Sequence, residues 1–126
     1  NLNIIFCFGE TLKQKNKNLT KKILTQQISS ALKNIKIPNN IFFAYEPIWS
    51  IGTGKIPRIE ELTKTILFIK NKLKKRFKNY PNLKILYGGS VNSTNIKSLN
   101  TISNLNGYLV GGASQSAKKF IDILKN

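Results

Sequence analysis

Four times in this chain a short apolar run, rich in β-branched and aromatic residues, gives way to a longer stretch. In that stretch apolar residues recur every three or four positions. This alternation constrains the fold more than any other feature. A strand followed by an amphipathic helix, repeated, implies parallel strands joined by right-handed crossovers. The first run, residues 2–8 (LNIIFCF), is almost uninterrupted and reads as a parallel strand buried on both faces, ending in Gly9-Glu10. The second is residues 41–45 (IFFAY) and the third residues 83–87 (LKILY), entered from a Pro81-Asn82 turn. The fourth is residues 107–110.

The intervening stretches carry the helical period. After a polar, Lys-rich loop, a helix beginning near Thr20 places Leu24, Ile28, Ala31, Leu32 and Ile35 on one face. Asn18 or Thr20 is its expected cap and Pro38 its expected stop. The next helix has Pro57 in its first turn, with Glu60 and Glu61 near the positive end of the dipole. Its apolar stripe runs through Ile59, Leu62, Ile66, Ile69, Leu73 and Phe77. A shorter helix, capped by Ser93 or Thr94, carries Ile96, Leu99 and Ile102. The last buries a stripe of Ala117, Phe120, Ile121 and Leu124.

An open doubly wound sheet and a closed (β/α)₈ barrel are both built from such units, and periodicity alone does not separate them. Such a barrel takes about 250 residues, and here four units occupy 126. Three of the four strands end in Gly-rich turns on one, carboxyl-end face, where both architectures place their sites. With 40% hydrophobic residues the chain supports one core, so residues 1–126 read as one domain or part of one. It opens on Asn1-Leu2-Asn3-Ile4 and enters a strand at once, and the expectation is that an N-terminal half precedes it.

Composition narrows the chemistry. A single cysteine, Cys7, and no histidine leave neither a disulfide framework nor a metal-ligand set, so no metal is expected. No apolar run approaches the roughly 18–20 residues that span a bilayer, and no secretory leader is visible. A cytoplasmic protein without a membrane partner is expected. The formal charge of +16 raises nucleic acid as a partner. However, lysines such as Lys70, Lys72, Lys74, Lys75 and Lys78 are spread over helix exteriors without the aromatic interleaving of a stacking platform, and no nucleic-acid partner is expected.

The stretch with most chemistry is residues 44–55, AYEPIWSIGTGK. The second strand delivers Glu46 at its carboxyl end, and Pro47 holds Glu46 out of the α region. Trp49 follows as an aromatic anchor, and then a tip, Ser50-Ile51-Gly52-Thr53-Gly54, whose glycines allow backbone N–H groups to approach an anion. A base beside an anion clamp points to proton abstraction from a phosphorylated substrate. Alone, a strand-end Glu more often forms a structural ion pair, and a Gly-Gly pair more often makes a plain tight turn.

Four strings together carry a resemblance. FCFGET (residues 6–11), AYEPIWSIGTGK (44–55), YGGSV (87–91) and GYLVGGAS (107–114) resemble, in order and spacing, the second half of triosephosphate isomerases. The resemblance implies a (β/α)₈ barrel (TIM barrel), of which this chain is the C-terminal half, its last four β/α units. It implies interconversion of dihydroxyacetone phosphate and glyceraldehyde 3-phosphate without metal or cofactor, by a homodimer when complete. Glu46 becomes the general base. Residues 47–55 become a lid hinged at Pro47-Ile48-Trp49 and Gly54-Lys55-Ile56, with Ile51 and Thr53 in its moving part. Gly52, Ser90, Gly111 and Gly112, with backbone from Leu109, become the phosphate grip. Cys7 and Glu10 become supports, Cys7 a small buried packer behind Glu46. Ser50 stands where the family usually has alanine, a change expected to matter little. The family's lysine, asparagine and electrophilic histidine belong to the first four units, so this chain alone is expected to be inactive. Two other readings stay open: a different phosphate-binding barrel enzyme, and a non-catalytic basic module that binds nucleic acid or protein.

Overall fold

The computed structural model describes residues 2–36, 39–78 and 80–126; Pro38, the expected helix stop, lies outside them. The four runs form strands β1 (Ile4–Phe8), β2 (Ile41–Tyr45), β3 (Lys84–Tyr87) and β4 (Gly107–Tyr108). They make one sheet in the order β1-β2-β3-β4, every pair parallel. The order never reverses, so these strands contain no switch point of the kind an open doubly wound sheet has. Five helices alternate with them: α1 (Leu12–Asn16), α2 (Thr20–Ala31), α3 (Ile59–Arg76), α4 (Ile96–Leu99) and α5 (Ala117–Leu124). Short 3₁₀ turns follow β2 at Ile48–Ser50 and β4 at Gly112–Gln115.

Register sorts the strand residues into two faces. Phe8, Tyr45 and Tyr87 lie in one row and Phe43 pairs with Ile85, so alternate side chains stack on the same side. These residues are buried, and they share one core with Leu24 and Ile28 of α2, four residues of α3, Ile96 and Leu99 of α4, and Ile123 of α5. The α3 stripe falls where its period puts it: Leu62, Ile66, Ile69 and Leu73 are all fully buried. Each contributes about 1.5–3 kcal/mol by leaving water. Glu60 and Glu61 occupy the first turn of α3, and Lys74, Lys75 and Arg76 the last, matching the helix dipole at both ends. Arg76 also donates to the carbonyls of Leu32, Lys33 and Ile35, which tethers the end of α2 to α3.

Several expectations fail, each for a local reason. β1 is not buried on both faces. Ile4, Ile5 and Cys7 are exposed, because β1 is an edge strand and none of the described residues covers it opposite the helices. β3 and β4 are shorter than the apolar runs that mark them. The Lys-rich loop contains α1, closed by a capping box between Thr11 and Gln14. Asn18 and Thr20 do not cap α2, whose N-cap is Leu19; Asn18 instead takes a left-handed turn, φ 56°, after α1. Ser93 and Thr94 do not cap α4. The Asn92 carboxamide oxygen accepts from the Thr94 and Asn95 amides and builds the turn before it. Pro57 precedes the N-cap Arg58 rather than entering the first turn of α3. The predicted α5 stripe is out of phase with the packing: Ile123 is buried, while Phe120, Ile121 and Leu124 are exposed on a flank with no neighbouring helix.

Candidate active site

Glu46 is placed by two close backbone approaches. Its amide donates to the Phe8 carbonyl at 2.8 Å, extending the β1–β2 ladder by one residue. Gly9 lies against that junction so tightly that a Cβ there would overlap the Glu46 carbonyl. The amide side chain of Gln27, in α2, donates to the Gly9 carbonyl at 3.0 Å and accepts from its amide at 3.1 Å, fixing the glycine. On the other side, a Cβ on Gly88 would stand 2.5 Å from Glu46 Oε1. Residues 9 and 88 must therefore lack side chains for Glu46 to occupy its position. Gln27 gave no signal in the sequence, because it acts across 18 residues of separation.

Behind Glu46 lies a buried polar cluster. Glu10 is only 1% exposed and accepts from the Tyr45 hydroxyl at 3.1 Å and from Trp49 Nε1 at 3.1 Å. A carboxylate removed from water needs such donors. Burial first, and then the Glu10 charge, push the Tyr45 hydroxyl far above its ordinary value, so it stays a donor. The Glu10 carbonyl also accepts from the Ile48 amide at 3.0 Å. Trp49 is sandwiched further by Lys15, whose ammonium sits 4.0 Å from the ring centroid and 3.5 Å from Glu61. The base of the segment after β2 is thus held from three sides.

The rest of that segment is not. Residues 51–55 are all exposed, and Gly52 and Gly54 take the left-handed values φ 69° and 75° that favour glycine. Within it Thr53 Oγ1 donates to the Trp49 carbonyl at 3.1 Å and accepts from the Lys55 amide at 3.2 Å. One link to the neighbouring strand is Ser90. Its hydroxyl donates to the Ser50 carbonyl at 2.6 Å and accepts from the Gly54 amide at 2.8 Å. Ser90 itself has φ 49°, an uncommon value for a residue with a Cβ, held by Asn92 and Asn95, whose amide groups donate to its carbonyl.

These pieces surround one cavity of about 650 Å³. Glu46, Ile51, Gly52, Gly54, Ser90, Leu109, Gly111 and Gly112 line it, so the expected base and every expected anion-gripping position border the same space. Among the described residues, the amides of Gly52, Ser90, Gly111 and Gly112 have no acceptor. Pro47, Trp49, Thr53 and Lys55 belong to the segment but not to the lining, and Glu10 lies behind it. Cys7 corrects its expectation: it is an exposed residue on the uncovered face of the sheet, not a buried packer. Partial desolvation first, and then the neighbouring Glu46 carboxylate, push its thiol up to about 11. Asn92 and Lys119 also line the cavity and were not foreseen. Among the described residues, no group of three or more Cys, Asp and Glu could hold a metal ion, and no helix is long and apolar enough to cross a membrane.

The family model described as triosephosphate isomerase matches residues 1–126. A triosephosphate isomerase of Thermodesulfovibrio yellowstonii is 46% identical over 125 residues, 98% of this chain and 51% of the relative. Those of Mycoplasma mobile and Chlorobium phaeobacteroides are 42% and 40% identical, covering 99% and 98% of this chain and 49% and 51% of theirs. The chain spans about half the length of the curated relatives it matches. With the match running from its first residue to its last, the chain belongs to the triosephosphate isomerase family.

Proposed function

We propose that this chain forms the C-terminal four β/α units of a (β/α)₈ barrel that interconverts dihydroxyacetone phosphate and glyceraldehyde 3-phosphate, with Glu46 as the general base. One observation carries the reading: a single carboxylate, flanked by glycines that admit it, borders the same cavity as four unpaired amides from three separate turns. Amides of this kind hold a doubly charged phosphate through their N–H donors. That fixes the far end of a three-carbon substrate and brings its carbonyl end toward Glu46. The carboxylate takes a proton from the carbon beside the carbonyl, electrons shift to the carbonyl oxygen to give an enediolate, the hydroxyl proton passes from one oxygen to the other, and the carboxylate returns its proton to the adjacent carbon. No covalent bond to the protein forms.

Residues 47–55 act as the lid. The base at Pro47–Trp49, anchored through Trp49 and the Ile48 amide to Glu10, is the fixed hinge, and the exposed tip with its two glycines is the part that moves. Closure over the cavity removes water from Glu46 and retains an intermediate that would otherwise expel phosphate. The enediolate oxygen needs a donor as well, and this chain has no histidine. In this reading the electrophile comes from the N-terminal half of the barrel, which also covers the exposed face of the sheet at Ile5, Cys7 and Phe42 and the free flank of α5. The complete enzyme is a cytoplasmic homodimer, and neither metal nor cofactor takes part. The test is Glu46→Gln in the completed barrel. Turnover should fall by about 10³-fold or more, with the thermal midpoint and phosphate affinity retained. Turnover within tenfold of the parent would remove Glu46 from the reaction.

A further inference from the structure

Tyrosines aside, Ser50 and Glu10 are the buried polar side chains among the described residues, and Ser50, at 0% exposure, is entirely out of water. A hydroxyl in that position is tolerated only when its donor and acceptor are both engaged. Ser50 Oγ donates to the carbonyl of Lys55, five residues on. It also lies 3.2 Å from the Tyr87 hydroxyl. Since the serine has a single proton and Lys55 takes it, Tyr87 is the donor in the second bond. Burial pushes the Tyr87 hydroxyl up to about 12, so it remains protonated at neutral pH and able to donate.

The consequence is geometric. Between Ser50 and Lys55 every residue is exposed, and the glycines leave the backbone supple. The Ser50 side chain joins the two ends of this arc to each other, and Tyr87 pins the junction to the end of β3. Space for this contact depends on Gly89, where a Cβ would stand 2.5 Å from the Tyr87 hydroxyl and 2.6 Å from Ser50 Oγ. We propose that Ser50 is a positioning residue that makes residues 50–55 move as one body and sets how long a phosphorylated ligand is retained. This rests on the isomerase reading and replaces the expectation that the serine matters little. Ser50 touches no reacting atom; it acts through the amides that its strap holds over the cavity.

The experiment uses the completed barrel, with glycerol 3-phosphate as a probe that carries the phosphate but no carbonyl. Ser50→Ala should release the probe about three- to tenfold faster, the range of one net hydrogen bond, and raise KM by a similar factor. It should change kcat by less than about twofold, because the proton-transfer groups are untouched. The change in Trp49 emission on probe binding should relax faster to the same degree. Tyr87→Phe, which keeps the strap and removes the pin, should act in the same direction. The double variant should fall short of the sum, since both substitutions break one chain of bonds. If Ser50→Ala does not fold, Tyr87→Phe alone decides the matter. Release and KM within twofold of the parent in every folded variant overturn the proposal. Glu46→Gln separates the two claims: a variant that still turns over defeats the isomerase reading whatever Ser50 does, whereas one that is dead yet releases the probe at the parental rate leaves Ser50 to be judged alone.

Discussion

The two faces of the sheet are built from the same strands and nearly the same residue types, yet toward β1 they differ sharply in their relation to water. On the helix side Phe43, Ile85 and Tyr87 are 0–1% exposed; on the other side Phe42 is 36% and Ile5 48% exposed. Apolar character cannot explain the difference, since Phe42 and Phe43 are adjacent and identical. What differs is the number of layers supplied: α2 to α5 cover one face, and among the described residues no element packs over the other. Glu46 continues the uncovered row, following Phe42 and Ala44 at a spacing of two. The face that lacks a cover is also the face that carries the candidate base.

The largest effect expected from this contrast is on stability. Phe43→Ala should cost about 3–5 kcal/mol, the usual range for emptying a closed aromatic site. Phe42→Ala should cost less than about 2 kcal/mol in the chain alone, because much of its ring is already wet. In the completed barrel the two costs should approach each other. Denaturant unfolding of both variants, with and without the other half, makes the check, and a Phe42 cost that stays small when the barrel is complete would mean that this face is never covered.

The same contrast explains what the sequence could convey. Strand–helix alternation and the α3 stripe are legible because each depends on residues close in the chain. The two-sided burial of β1 was misread, since an apolar run records what a strand is made for and not whether its partner is present. The α5 stripe fails in the same way: Phe120, Ile121 and Leu124 are apolar, yet among the described residues nothing packs over them. Helix caps were misplaced where a polar side chain had a stronger local use, as Asn92 does before α4. Around the cavity, Glu46, Gly52, Ser90 and Gly112 were visible through motif strings. Asn92 and Lys119 reach it by tertiary placement, as Gln27 reaches Gly9 beside Glu46, and only the structure brings them there.

A second, smaller effect probes how closely the open row is fitted. Gly88→Ala would put a methyl group 2.5 Å from Glu46 Oε1 and displace the carboxylate. In the completed barrel kcat should fall by about 10²-fold, the cost of a misplacement near 1 Å, with KM little changed. A kcat within threefold of the parent would show that Glu46 has room to spare.

The smallest effect concerns Cys7. Its thiol, pushed up to about 11, is protonated at pH 8, and the reactive thiolate is scarce although the side chain is exposed. Alkylation by iodoacetamide should therefore be roughly tenfold or more slower than for a free thiol, should quicken in Glu46→Gln, and should stop when the other half covers the face. Rapid alkylation at pH 8 would mean that Glu46 does not lie against the sulfur.

The most direct measurement of the central claim is turnover of glyceraldehyde 3-phosphate by the purified chain before and after adding the N-terminal half of a triosephosphate isomerase barrel. The account predicts no turnover above background from the 126 residues alone, and turnover that rises with the added half until the two are equimolar. Robust isomerisation by the chain alone, or none from a folded mixture of the two, would contradict it.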